Sequence, residues 1–283
     1  MGTPETSFLT QNLFGIEGHT AVITGGASGL GEMMAHAWVV NGGNVIIASR
    51  KEKALSKACQ ALNALGRGKA EYIVGDVSSK TGCVAVCAEI KKRVKKLHVL
   101  VNNSGVTWGA PFDDFPEKEG WDRVLSLNVK SIFYMTSELV PLLAQDATNV
   151  DPGRVIIISS VAGLTSNSNA SGVGAKGHGL WSYNASKAAA ISLSNNLAVT
   201  LAPKLITVNA ICPGVYPSRM TAYGIRTQGD LLSQVQPMGR LGTPEDIAGV
   251  FLFLASRAGA HITANYIATD GGALAAGQGY TKL

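Results

Sequence analysis

The sequence predicts an α/β protein: a single doubly wound domain of about seven parallel strands with helices on both faces of the sheet. Three observations carry this expectation. Apolar, β-branched runs alternate with helix-patterned stretches over almost all of the 283 residues, as in a sheet buried on both sides. The stretches between those runs are long enough for the crossovers that parallel strands need. A glycine-rich turn, Thr24-Gly25-Gly26-Ala27-Ser28-Gly29-Leu30-Gly31, closes the first apolar run and opens a helix. With 46% hydrophobic residues, the chain has ample material for one core, and no linker or repeat divides it.

The elements follow in order. Residues 1–17 read as an N-terminal arm, of which Met1 to Thr6 formally fit a myristoylation pattern and are expected to be untethered. Strands are expected at 20–24, 44–49, 70–75, 97–101, 154–160, 205–211 and 263–269, each bounded by glycine, proline or polar turn residues. Helices are expected at 117–147 and 181–203. Segment 164–181 is rich in Ser, Asn and Gly, a long loop beside the helix that carries Tyr183.

Bulk properties exclude several classes. The net charge is +5, but its one dense cluster, Lys91-Lys92-Arg93 with Lys95-Lys96, has no aromatics interleaved as base-stacking platforms, so a nucleic-acid partner is not expected. A mild basic surplus suits a dinucleotide, coenzyme A or an acidic carrier protein. Cys59, Cys83, Cys87 and Cys212 lack metal-site spacing and read as reduced core residues, with no metal expected. No apolar run approaches the ~18 residues that span a bilayer. The expected location is cytoplasmic, with a peroxisomal alternative from Thr281-Lys282-Leu283, one residue away from a Ser-Lys-Leu address.

The turn after the first strand points to a dinucleotide. Gly25, Gly29 and Gly31 let backbone approach a pyrophosphate, Ser28 and Leu30 stand between them, and the helix N-terminus adds N–H groups and a positive dipole. The fold is therefore expected to be Rossmann-type. The second strand ends Ala48-Ser49-Arg50-Lys51, without the carboxylate that would accept from the ribose 2′-OH of NAD. Arg50, with Lys51 beside it, suits a 2′-phosphate, so NADP(H) is the expected cofactor unless Arg50 merely starts a solvated helix. Asp76 and Val77 end the third strand, where an acid can meet the adenine amino group and a valine the ring; a turn-forming Asp is the bland rival.

Tyr183 and Lys187 stand at i and i+4 and share one helix face. An ammonium about 4 Å from the phenol would lower the tyrosine from its usual value by up to ~3 units. That brings proton exchange toward neutral pH.

With Thr24-Gly-x-x-x-Gly-x-Gly31, Asn102-Asn103-Ser104-Gly105, Asn128, Ser160, Tyr183-x-x-x-Lys187 and Pro213-Gly214 in order, the chain resembles the short-chain dehydrogenases/reductases from about residue 15 to 275. Asn103-Ser104-Gly105-Val106-Thr107-Trp108-Gly109-Ala110, Ser159 to Gly163, Pro217 to Thr221 and Pro237 to Arg240 look like the rhamnolipid-pathway 3-oxoacyl reductase branch. The resemblance implies a carbonyl reductase in which Tyr183 donates a proton, Lys187 tunes it, Ser160 steadies the carbonyl oxygen and Asn128 holds a water. It further implies Asn103 near the ribose and nicotinamide, Tyr183 and Lys187 holding the nicotinamide ribose, Ser218 near the carboxamide, and Gly105, Pro213, Gly214 and Tyr216 also among the cofactor-binding residues. Lys130 is implied near cofactor phosphate or ribose, with a solvated lysine an equal alternative.

The implied substrate is a ketone or secondary alcohol, first a 3-oxoacyl thioester and second a polyketide-like aromatic ketone. A non-catalytic NADP(H)-binding module is the alternative of another class. Trp108, Trp181, Tyr216 and Tyr223 are candidates for an apolar substrate wall or for ordinary packing, and Lys176 and His178 for anion readers or solvated side chains. The resemblance also implies a substrate cover over 216–240 and a homotetramer, through the family's pairing of the 117–147 and 181–203 helices across two-fold axes. Ser104 stands where alanine is usual, and the step from Ser160 to Tyr183 is longer than the family's usual spacing of about 13.

Overall fold

The computed structural model describes residues 8–166, 168, 177–234 and 236–277. Seven strands form one parallel sheet: β1 (Thr20–Thr24), β2 (Asn44–Ser49), β3 (Ala70–Val74), β4 (Val99–Asn102), β5 (Gly153–Ile158), β6 (Ile206–Pro213) and β7 (Asn265–Thr269), in the order β3-β2-β1-β4-β5-β6-β7. The expected doubly wound sheet is therefore present. β5 stops at Ile158 because Ser160 turns to cap a short 3₁₀ turn at Val161–Gly163, accepting a hydrogen bond from the Ala162 N–H at 3.1 Å. The serines expected inside the strand thereby stand beyond its carboxyl end, Ser159 buried and Ser160 half-buried.

The main helices are α1 (Gly29–Val40), α2 (Glu52–Asn63), α3 (Lys80–Arg93), α4 (Ser131–Ala144), α5 (Trp181–Leu201), α6 (Ala222–Gln234) and α7 (Pro244–Ala255). Side chains of each strand alternate between faces, so Val22, Ile46, Leu100, Val155 and Val208 pack under α3, α4 and α5. Ile23, Val45, Ile47, Val101 and Ile156 pack on the other face with Trp38 of α1 and Phe251 of α7. Residues of the expected arm take part in this core: Thr10–Phe14 form a short helix and Ile16 is buried, since an apolar residue just ahead of β1 has a face to fill. Met1 to Thr6 lie outside the described residues.

The sheet reverses direction of winding between β1 and β4, the point at which doubly wound folds open a crevice. Beyond Ile23, which pairs with Val101, the two strands part. Thr24 bridges the parting: its hydroxyl donates toward the Val101 carbonyl and accepts from the Asn103 and Ser104 N–H groups at 3.0 Å each.

At the opposite, amino-terminal edge, His19 and His98 stack with ring centroids 4.1 Å apart. The Nδ1 of His98 accepts from the Thr20 N–H at 3.0 Å. Burial, then the neighbouring His19 and Lys96, push His98 down from 6.5 to about 4, and burial lowers His19 as well. A folded-state value below the unfolded one means that the unfolded chain binds more protons as the medium acidifies. Stability should hold above pH 6.5 and fall by about 1–3 kcal/mol as pH drops toward 4. Urea titrations across this range test it, and His98→Gln, which keeps an acceptor for Thr20, should flatten the dependence.

Candidate active site

A cleft of about 510 Å³ opens at the carboxyl edge where β1 and β4 part. Its floor is the glycine turn. Gly25 and Gly29 take φ of +69° and +56°, left-handed conformations that glycine adopts without penalty. A Cβ on Gly31 would stand 2.5 Å from both the Asn103 Nδ2 and the Gly25 carbonyl oxygen. The turn thus presents bare backbone, and Ser28 precedes α1 in extended conformation with its hydroxyl unused as a cap. This cradle fits a pyrophosphate.

Of the residues expected to hold a cofactor, Gly25, Ser28, Gly29, Leu30, Arg50, Lys51, Asp76, Val77, Asn103, Gly105, Tyr183, Lys187 and Ser218 all line the cleft. Arg50, Lys51, Asp76 and Val77 sit at one end, where β2 and β3 finish side by side. Ser218 arches over the turn, its Cβ 3.4 Å from where a Gly29 Cβ would stand. Asn103 lines the cleft, although its Nδ2 is already donated to the Thr24 carbonyl at 2.8 Å.

Other expected residues stand elsewhere. Lys130 is exposed. Pro213 and Gly214 tie β6 to β7, with the Gly214 N–H donating to the Thr269 carbonyl at 3.1 Å. Tyr216 is buried in a second cavity of about 330 Å³, with Gln236, Arg240 and Asp270. The backbone after Gly214 carries its side chain away from the first cleft.

At the other end of the cleft, α5 brings Tyr183 and Lys187 to Ser160. Lys187 is only 5% exposed, and its Nζ donates to the Ile158 carbonyl at 2.8 Å. That ammonium lies 5.6 Å from the centre of the Tyr183 ring. The expected lowering of the tyrosine is not what these surroundings produce: burial pushes the phenol up, opposed by a hydrogen bond with Ser160. Burial instead brings Lys187 down to about 8. Desolvation penalises both charged forms, and here it outweighs the attraction expected from helix spacing.

Three side chains hold this end in place. Asn128, 1% exposed, accepts from the Val106 N–H and donates to the Val106 carbonyl and to Ser186 Oγ, all at 2.9 Å. Its amide thus ties the segment after β4 to α5. It sits in a π-helical stretch, Ser126–Lys130, leading into α4, a widening frequent at functional sites. Ser186 passes the contact on to the Tyr183 carbonyl at 2.7 Å, and Ser159 Oγ donates to the Lys187 carbonyl at 2.8 Å. Sequence reading missed Ser159 and Ser186; only their places beside Ser160 and Lys187 hinted at them.

The ends of the long loop are pinned to the segment after β4. Ala110 and Gly179 form an antiparallel bridge, and one ring nitrogen of the half-buried His178 meets the Gly109 carbonyl at 3.1 Å. Lys176 lies outside the described residues. Trp181 packs edge-on against Phe112 and Phe115, with ring centroids 5.4 and 5.5 Å away. Tyr223 is half exposed, beneath the Arg226 guanidinium.

The doubly wound sheet, the phosphate-type cradle at its reversal point and the half-buried tyrosine with a buried lysine at the other end define a dinucleotide-linked oxidoreductase. Residues 25–273 match the family model described as enoyl-(acyl carrier protein) reductase. The chain is 38% identical, over 92% of its length and 97% of the relative's, to the rhamnolipids biosynthesis 3-oxoacyl-[acyl-carrier-protein] reductase of Pseudomonas aeruginosa. It is 35% identical, over 95% of both chains, to the short-chain dehydrogenase/reductase PhomF of Diaporthe leptostromiformis. Among solved structures, the Pseudomonas aeruginosa RhlG/NADP active-site complex superposes with a TM-score of 0.84 at 37% identity, covering 93% of this chain and 98% of that one. The chain belongs to the short-chain dehydrogenase/reductase family.

Ser186→Ala would leave the buried Asn128 amide one partner short. An unmet buried hydrogen bond costs about 1–3 kcal/mol, so urea denaturation should show a loss of that size, accompanied by a lower kcat.

Proposed function

We propose that the chain is an NADPH-dependent carbonyl reductase, acting first on 3-oxoacyl thioesters, with all of residues 1–283 forming one catalytic domain and 216–240 its substrate cover. The observation that carries this reading is the pair Tyr183 and Lys187 at one end of a cleft whose other end bears Arg50 and Lys51, with Ser160 hydrogen-bonded to Tyr183. The RhlG/NADP complex and the 3-oxoacyl reductase relative support the cofactor and substrate class. A non-catalytic NADP(H)-binding module would have no use for a buried lysine beside a half-buried tyrosine.

When bound, the reduced dinucleotide supplies hydride to the carbonyl carbon. Ser160 donates a hydrogen bond to the carbonyl oxygen as negative charge grows there. Tyr183 gives its proton to that oxygen and leaves as phenolate, so hydride and proton together make the secondary alcohol. Its raised phenol keeps that proton through the neutral range. Lys187, held against the Ile158 carbonyl, supplies the positive charge that steadies the phenolate. Asn128 keeps the strand-end loop and α5 in register.

A polyketide-like aromatic ketone is the second reading, favoured by the aromatic group Phe112, Phe115 and Trp181 beside the start of the catalytic helix. A homotetramer is supported by α5, whose 21 residues include no charge but the buried Lys187 and whose Val199 is 75% exposed. No helix among the described residues is long and apolar enough to cross a membrane. A cytoplasmic setting agrees with four free, buried cysteines. Nothing in the fold or the relatives supports the peroxisomal alternative, and residues 281–283 lie outside those described.

NADPH oxidation should be followed with 3-oxoacyl thioesters, aromatic ketones and, as controls, enoyl thioesters. Tyr183→Phe should lower kcat by about 10²- to 10⁴-fold while binding NADPH normally; unchanged turnover would remove the proposed proton donor. In the reductive direction kcat should hold through neutrality and decline as pH rises through about 8, where Lys187 loses its charge. Val199→Glu should shift the mass measured by light scattering toward smaller species.

A further inference from the structure

At the adenosine end of the cleft, acid and base meet across two neighbouring strands. Parallel register pairs Ser49 of β2 with Val74 of β3, and the Gly75 N–H donates to the Ser49 carbonyl at 2.9 Å. One and two residues further on, Arg50 and Asp76 emerge into the cleft side by side. The Arg50 Nη1 lies 3.7 Å from the Asp76 Oδ2, with the two side chains 56% and 49% exposed. Asp76 is not free to swing away, because its Oδ1 accepts from the Ser78 N–H at 3.0 Å. Burial works against its charge, but the Ser78 bonds and the guanidinium outweigh it and hold the carboxyl below its ordinary value.

We propose that Asp76 is the residue that limits this cleft's preference for a 2′-phosphorylated dinucleotide, by holding Arg50 as a counter-ion and repelling the phosphate that Arg50 would receive. The inference rests on the NADPH reading above. A single contact of 3.7 Å between half-exposed groups is weak, and it leaves most of the guanidinium's donors free for a phosphate. A 2′-phosphate bound by Arg50 would share that guanidinium with a carboxylate of the same sign, held in place by Ser78. An unphosphorylated dinucleotide meets no such repulsion and leaves the pair intact. Asp76 thus weakens the binding of one cofactor and spares the other.

Asp76→Asn keeps the side-chain shape and the acceptor for Ser78 while removing the charge. Any change in contact with the adenine is common to both cofactors and cancels in the ratio of their dissociation constants. Kd for NADPH and NADH, and for the fragments 2′,5′-ADP and 5′-AMP, should be measured by calorimetry on wild type, Asp76→Asn and Arg50→Ala. In Asp76→Asn the preference for the 2′-phosphorylated partner of each pair should rise about threefold to tenfold at low salt and shrink toward wild type at high salt.

Arg50→Ala should lose most of the preference. If it does, but Asp76→Asn leaves the ratio unchanged or lowers it, the inference on Asp76 is overturned and the cofactor reading stands. If Arg50→Ala keeps the wild-type ratio, or the wild type binds NADH more tightly than NADPH, the cofactor reading and the inference fall together.

Discussion

The hydroxyl of Thr24 joins the two strands on either side of the sheet's reversal point, and the cleft exists because those strands must part there. Strands β1 and β4 share only three paired positions, after which their chains lead to helices on opposite faces. Left alone, the strand ends would splay and expose their N–H groups. Thr24 closes that gap on the floor by accepting from Asn103 and Ser104, and Asn103 returns a bond to the Thr24 carbonyl. The glycine turn and the Asn103 to Gly105 loop are thereby held as two facing walls.

The chemistry at the far wall depends on burying a lysine. A charged group out of water is costly unless paired or hydrogen-bonded, and Lys187 meets this with the carbonyl of Ile158. The rest of the network keeps α5 at the distance that contact requires: Ser159 holds the helix backbone at Lys187, and Ser186 with Asn128 holds it at Tyr183. The same burial that makes Lys187 responsive near neutrality raises the tyrosine. A helix-wheel argument alone cannot weigh these two effects, because it contains the spacing of the charges and nothing of their solvation.

Much of this architecture was legible in the chain. Strand positions followed from β-branched runs with turn residues at their ends, since a buried parallel strand has few other ways to be written. The glycine turn and the Tyr183 and Lys187 pair were legible because their function demands particular residue types at short range. Tyr216 was expected among the cofactor residues, yet its side chain lies in the second cavity, because its proximity to Pro213 and Gly214 in sequence says nothing of the direction in which the chain leaves β6. His178 stands in a polar loop, yet one of its ring nitrogens meets Gly109. Ser186 gave no signal, being a small polar residue in an alanine-rich helix.

Local sequence determined the elements and the residue types at both ends of the cleft, since each of these depends on neighbours within about one turn of helix or strand. Tertiary structure alone decided which groups are charged and which are already spoken for. Arg50 faces Asp76 because two strands align in register, and Asn128 is committed to Val106 and Ser186 because two helices and a loop converge. Such pairings join residues far apart in the chain, and their energies turn on burial, which no local pattern of residues encodes.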